Sequence, residues 1–149
     1  MVPKFRAYDT KNKVMVTNFH RSHMKIETGK VLYQLTTTNE NEIKAIASYN
    51  TFDDYIYRYS HDLELMQSTG LKDKNGVEIY ERDIVVNQYG NVGYVAYLQQ
   101  EAGFVVVLKK SDYRLGHRNT GESYDVTTNH EVIGNIHSNP ELLEPANEN

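Results

Sequence analysis

The sequence predicts a mainly β protein with minor helix, and three observations carry that prediction. Short runs rich in Val, Ile, Tyr and Phe recur along the 149 residues, bounded by Gly, Asn, Asp or Ser. Asn75-Gly76, the dipeptide that best tolerates positive φ at both central positions of a type I′ turn, is flanked by Leu71, Val77 and Ile79 and marks a hairpin. From Asn91 to Leu108 the chain reads as a β-meander, with Phe104-Val105-Val106-Val107-Leu108 its most apolar strand.

In chain order, Phe5-Arg6-Ala7-Tyr8 and Val14-Met15-Val16 are β-prone runs joined by Asp9-Thr10-Lys11-Asn12-Lys13, a polar connection of hairpin composition. Met24-Lys25-Ile26, a turn at Thr28-Gly29 and Val31-Leu32-Tyr33-Gln34-Leu35 supply the next two strands. Thr36 to Glu42 is a polar loop, with Asn39 as the N-cap of a helical turn over Ile43-Lys44-Ala45-Ile46-Ala47. Tyr55, Tyr57 and Tyr59 then alternate with Ile56, Arg58 and Ser60, so a strand here puts three phenols on one face.

The stretch from Leu65 to Val85 organises its neighbours. It reads as a turn, a short strand, a tight turn and the start of another strand, with Gly70 and Gly76 where φ is positive and Glu81-Arg82-Asp83 as a polar bend. Gly70, Asn75, Gly76 and Asp83 are its structural turn residues, while Lys72, Asp73, Lys74, Glu78, Glu81 and Asp83 read as the solvated residues that turns prefer. In the meander that follows, Val105 and Val107 are expected to face inward. Ser111 to Glu122 is an exposed loop, Tyr124-Asp125-Val126 and Val132 to Ile136 return to the sheet, and Asn139-Pro140 opens a final helical turn through Leu143 before the tail.

Length and composition set bounds independently. A chain of 149 residues buries roughly two-thirds of its unfolded surface and folds without staples as one domain or two small subdomains. The expected division is an N-terminal β-rich subdomain over 1–64 and a second subdomain over 65–149 that ends in the tail. With no cysteine there is no disulfide framework, thiolate metal site or thiol nucleophile, which fits a reducing compartment. The absence of a long apolar run or an apolar leader argues against a membrane span and a signal peptide, so a cytoplasmic setting is expected. The net charge of -4 divides into +1 for residues 1–64 and -5 for residues 65–149, which does not favour nucleic acid as a partner.

Four groups of residues could carry chemistry. Lys109, Lys110, Arg114, His117 and Arg118 form a basic cluster beside Tyr113, interrupted by Asp112, which suits a solvated loop better than a nucleic-acid patch. His20 and His23 are three apart but lie in an extended segment with no carboxylate to complete a metal site, so no metal and no cofactor are expected. Asp53, Asp54, His61, Asp62 and Glu64 could supply a general acid and base, a weak signal without a pocket to shift them. The Tyr55, Tyr57, Tyr59 face is either an aromatic platform for bases, sugars or a protein partner, or a half-buried strand that covers a core or an oligomer interface.

Three blocks of the sequence carry a resemblance: Lys4-Phe5-Arg6-Ala7-Tyr8-Asp9, the stretch from Leu65 to Val85, and Glu131-Val132-Ile133-Gly134-Asn135-Ile136-His137-Ser138-Asn139-Pro140-Glu141-Leu142-Leu143. In order and placement they resemble the YopX family of phage and prophage proteins. The sequence departs at Ser68, where an aromatic is usual, and at Arg82, where glycine is usual, and an arginine there argues against positive φ. The resemblance implies a mostly β fold with an SH3-like barrel in the C-terminal part and a bacterial or phage setting; it implies no catalytic residues. The function expected is a non-catalytic binding or assembly module whose partner is a protein or a second copy. Binding faces would be Tyr55, Tyr57 and Tyr59, with Lys109, Lys110, Arg114 and Arg118 serving the alternative, nucleic-acid association.

Overall fold

The computed structural model describes residues 4–19, 23–26, 29–51, 56–57, 59–108 and 123–144, and of 23–25 and 123–124 the backbone alone. These residues are mainly β, with two short 3-10 turns at Gln99–Glu101 and Pro140–Leu143. The chain divides into two compact units, one of Phe5–Met66 and one that runs from Gln67 onward and takes in Lys4.

In the first unit, β1 (Phe5–Asp9) and β2 (Val14–Val16) pair antiparallel with Asp9 opposite Val14. β3 (His23–Ile26), β4 (Gly29–Thr37), β5 (Ile43–Asn50) and β6 (Tyr59–Asp62) form a second antiparallel sheet in that order. Residues two apart on a strand share a face. Val31 and Tyr33 of β4 therefore join Ala45 and Ala47 of β5, and together with Ala7, Val16 and Leu63 they make the buried core of this unit.

The helical turn expected over Ile43 to Ala47 is instead the first part of β5, which pairs with β4 from Lys30↔Asn50 to Thr37↔Ile43. The reason lies at Thr38. Its Oγ1 accepts the N–H groups of Glu40 and Glu42, at 3.3 and 3.2 Å, and its own N–H donates to Glu42 O at 2.8 Å. With Asn41 at φ 63 the chain reverses in three residues. An alternation of outward Lys44 and Ile46 with inward Ala45 and Ala47 then suits a strand with one buried face.

In the second unit, β8 (Glu78–Tyr80) pairs with the later part of β7 (Glu64–Lys72), whose register is irregular between Ser68 and Lys72, where Gly70 has φ +82. β9 (Asp83–Val86), β10 (Val92–Leu98), β11 (Gly103–Leu108), β12 (Ser123–Asp125) and β13 (Glu131–Asn135) form a curled sheet of order β12-β11-β10-β9-β13. Ile79, Val85, Val95, Val106 and Val126 make its core, with Phe104 and Val132 packed against them.

Four expectations are corrected here. The hairpin at Asn75-Gly76 is not type I′: only Gly76 has positive φ, at +84, and its N–H donates to Asp73 O at 3.0 Å, so a turn over residues 73–76 ends on a left-handed glycine. Asp73 and Asp83 are buried, not solvated, because each carboxylate satisfies backbone donors inside its turn. Arg82 does adopt positive φ, 70°, at the bend before β9; its N–H donates to Val95 O at 2.8 Å and its carbonyl accepts from Ile136 at 2.9 Å, so its neighbours fix the backbone. The inward face of β11 also differs from expectation: Val106, opposite Val95, lies in the core, Val105 is buried outside that cluster, and Val107 is half-buried.

Candidate functional site

The densest polar constellation among the described residues lies in the first unit and centres on Asp9, the last residue of β1. Its side chain is fully buried. Oδ1 accepts the backbone N–H of Lys11 at 3.0 Å and of Asn12 at 3.1 Å, which closes the turn into β2. Oδ2 accepts from Asn12 Nδ2 at 2.6 Å and from the Tyr33 hydroxyl at 2.8 Å. His61 Nε2, on β6, reaches Oδ1 at 3.1 Å.

A second layer builds on the first. Tyr49 on β5 places its hydroxyl 3.2 Å from His61 Nδ1 and accepts from Asn12 Nδ2 at 2.9 Å. The β5–β6 register explains the meeting: Ala47 faces His61 and Tyr49 faces Tyr59, so Tyr49, Tyr59 and His61 share one side of the sheet. The Tyr49 ring lies 5.4 Å from His61, stacked at 29°, and 5.3 Å from Tyr59. The Lys11 ammonium sits 5.0 Å from the Tyr49 centroid and 4.7 Å from that of Tyr59, within reach of a cation–π attraction.

The protonation states follow from these contacts. Burial alone would raise the Asp9 carboxyl, but the hydrogen bonds from Asn12, Tyr33 and His61 outweigh it and hold the group below its usual value. Asp9 is therefore an acceptor only, and His61 must carry a proton on Nε2. In the neutral ring Nδ1 then accepts, which makes Tyr49 the donor and gives a directed chain from Asn12 through Tyr49 and His61 to Asp9. Burial first, and the Asp9 charge after it, push the Tyr33 phenol upward, and burial likewise raises Tyr49.

That last direction bears on chemistry. A phenol, an imidazole and a carboxylate in line have the order of nucleophile, base and orienting acid. A nucleophile of this kind is activated by an adjacent base or by a lowered pKa, and burial moves Tyr49 away from the second of these. The arrangement holds two aromatic rings and a lysine at a fixed surface position, with Tyr59 54% exposed.

The residues singled out in the sequence fall unevenly around this cluster. Tyr59 belongs to it. Tyr57 is half-buried and lies outside any strand, Ile56 is at a bend, and Tyr55 lies outside the described residues. Tyr57 and Tyr59 therefore do not share a strand face, and the ring beside Tyr59 is the cross-strand Tyr49. His61 takes Asp9 as its carboxylate in place of Asp62, which pairs with Lys44 at 3.1 Å. Asp53, Asp54 and His20 lie outside the described residues, as do Lys109, Lys110, Arg114, His117 and Arg118, and of His23 only the backbone is described. Gly70, Asn75, Gly76 and Asp83 are in the other unit, where Asp83 Oδ2 accepts the Tyr80 N–H at 2.8 Å and Asn75 donates its N–H to Asp73 Oδ1 at the same distance. Among the described residues no three His, Asp or Glu side chains gather as a metal ion would need, and no helix is long and apolar enough to cross a membrane.

Asp9, Asn12, Tyr33 and Tyr49 were not visible as a site in the sequence. Asp9 read as one residue of a polar turn, and its partners Tyr33 and His61 stand 24 and 52 positions away. The one local signal was an aspartate at a strand end followed by a polar turn, the pattern of a side chain that bonds the backbone two residues on.

Comparison with known proteins gives a family and a structural neighbour. The crystal structure of protein EF1440 from Enterococcus faecalis is 32% identical, with 97% of this chain and 99% of that one covered at a TM-score of 0.49. No curated protein matches. The family model described as YopX protein matches residues 4–144. All three sequence blocks fall inside that span, and this chain belongs to the YopX family.

Proposed function

We propose that this protein is a non-catalytic binding or assembly module of phage or prophage origin, acting in the bacterial cytoplasm, which offers the Tyr49, Tyr59, His61 and Lys11 face to a protein partner. The curled C-terminal sheet is the SH3-like part of the same reading. One observation carries it: Tyr59 is half exposed yet held in place by Tyr49 and Lys11, on a cluster anchored by a fully buried carboxylate. A large, pre-positioned aromatic ring at the surface contributes contact area without much loss of side-chain freedom on binding, and tyrosine is enriched at the centres of interfaces for that reason.

The test pairs wild type with Tyr59→Ser. Tagged protein is captured from infected host cells and its assembly state is measured by sedimentation. Wild type should retain a partner, or associate with itself, that Tyr59→Ser loses by tenfold or more, while both melt within a few degrees of each other. A partner retained equally by the variant would overturn the assignment of this face.

A further inference from the structure

The hydrogen-bond chain through His61 has only one free variable, the proton on Nδ1, and that proton controls what happens on the exposed side of the cluster. We propose that His61 is a proton-operated latch: neutral, it keeps Lys11 seated over Tyr49 and Tyr59; protonated, it releases Lys11 and opens the two rings. For the use of that face the inference rests on the function proposed above, while the latch itself is a property of the free protein.

The argument starts from donors and acceptors. With His61 neutral, Nδ1 accepts from the Tyr49 hydroxyl, and the Tyr49 oxygen keeps room to accept from Asn12 Nδ2. When Nδ1 gains a proton it becomes a donor. Tyr49 Oη must then accept from both His61 and Asn12, and its own hydrogen has to turn away from both. No heavy atom in the buried layer needs to move, because Asp9 continues to accept from Nε2. The change is therefore confined to the outer layer.

There it has an electrostatic consequence. Among the described residues His61 meets Asp9 on β1, Tyr49 on β5 and Tyr59 on β6, with Lys11 over the two rings and Tyr33 of β4 on the same carboxylate, while Asp62, next along the chain, is engaged by Lys44. Asp9, which already accepts from Nε2, meets the new charge at contact distance. Lys11 is the only cation. Its ammonium lies over the same Tyr49 ring on which His61 stacks, so the charged imidazole both repels it and competes for the ring's electron density. Lys11 is exposed, and among the described residues its ammonium has one polar contact, to the Tyr59 hydroxyl, which is long at 3.5 Å, while its backbone N–H stays on Asp9. Of the groups around His61 it is the one free to leave.

The experiment is an NMR titration of the wild-type protein across the pH range in which it stays folded. Two signals are followed: the His61 ring nitrogens, and the Lys11 methylene beside the ammonium, which sits over two aromatic rings and so brings that methylene within their ring currents. The expected result is that Nδ1 passes from an acceptor-type to a protonated-type shift while the Lys11 ring-current shifts collapse with the same midpoint. In His61→Gln, which cannot take a proton, the Lys11 shifts should be constant with pH. Lys11 shifts that hold steady through the His61 titration in wild type would overturn the latch even if the variant does not fold. Failure of partner capture with an intact titration would instead count against the proposed function alone.

Discussion

Asp9 and Asp73 are both buried carboxylates at the base of a hairpin, one in each unit, and both are held below the usual carboxyl range although burial opposes it. Asp73 gives its oxygens wholly to the backbone: Oδ1 accepts from Asn75 and Val77, each at 2.8 Å, and Oδ2 accepts from Val132 at 2.9 Å. Asp9 divides its oxygens, with two backbone donors from its own turn and three side-chain donors from Asn12, Tyr33 and His61. The difference separates a turn that stabilises only itself and one neighbouring strand from a turn used as the base of a surface. A buried aspartate in a hairpin is therefore informative about function only through the kind of donor it gathers.

The contrast can be broken by substitution, most sharply at Asp73. Asp73→Ala leaves three backbone N–H groups without their acceptor, and with charge-assisted bonds contributing about 1.5–3 kcal/mol each before relaxation, a net loss of about 3–4 kcal/mol is expected. Chemical denaturation measures it, and a loss near 1 kcal/mol would show that the turn closes without the carboxylate.

Asp9→Asn should lose less, about 2 kcal/mol, because its turn donors keep an acceptor while His61 loses the charge it faces. A double-mutant cycle sharpens the comparison. Asp9→Asn and His61→Gln should couple by about 1 kcal/mol or more, whereas Asp73→Asn and His61→Gln should add within about 0.5 kcal/mol. Equal coupling of His61 to both aspartates would erase the distinction.

Acid should act on both turns with the same sign. A carboxyl whose pKa is depressed on folding stabilises the protein above its unfolded value, about 3.9, and that contribution is lost as the pH falls through the folded-state value. Stability should therefore decline below about pH 4 in wild type. The decline should be shallower in Asp73→Asn, measured by denaturation at successive pH values, and an unchanged acid limb would mean that Asp73 contributes nothing through its charge.

The smallest expected effects concern backbone geometry. A Cβ at Gly76 would meet no atom within 4 Å, so Gly76→Val isolates the left-handed φ of +84° and should cost about 1–2 kcal/mol. Arg82→Gly is the reverse experiment. It relieves a non-glycine residue at φ 70° but loosens the unfolded chain, and the two nearly offset, leaving a gain of a few tenths of a kcal/mol. Thermal melting of the pair should show opposite signs.

How far the sequence revealed these regions depended on the distance over which each is determined. The 73–77 hairpin was legible because turn chemistry is local: Asn75-Gly76 announced it, although the type of turn depended on Asp73, which composition alone placed in solvent. The strand character of Ile43 to Ala47 was missed because a short apolar run fits either period until its partner strand is known. The tyrosine alternation was visible, but where a strand ends is set by its neighbour, and β5 stops at Asn50. Arg82 concealed its conformation because the residue type argues against positive φ and only the contacts to Val95 and Ile136 impose it. The Asp9 cluster was the least legible, since nothing in a window of ten residues joins Asp9 to Tyr33, Tyr49 and His61.

The loop that reverses β4 into β5 has a bearing on time as well as on shape. Thr38, Asp73 and Asn87 each use one side-chain oxygen to accept the N–H groups two and four residues ahead, and each loop holds a left-handed residue, Asn41, Gly76 or Gly90, three positions on. These are self-contained reversals that close in microseconds, without reference to the rest of the chain. The Asp9 cluster has no such independence, because its partners arrive from three other strands and loop closure must come first. Folding should accordingly run from the loops inward: substitutions at Gly76 slow refolding, whereas Tyr33→Phe mainly hastens unfolding, and the surface carried by Asp9 is the last part of its unit to exist and the first to open.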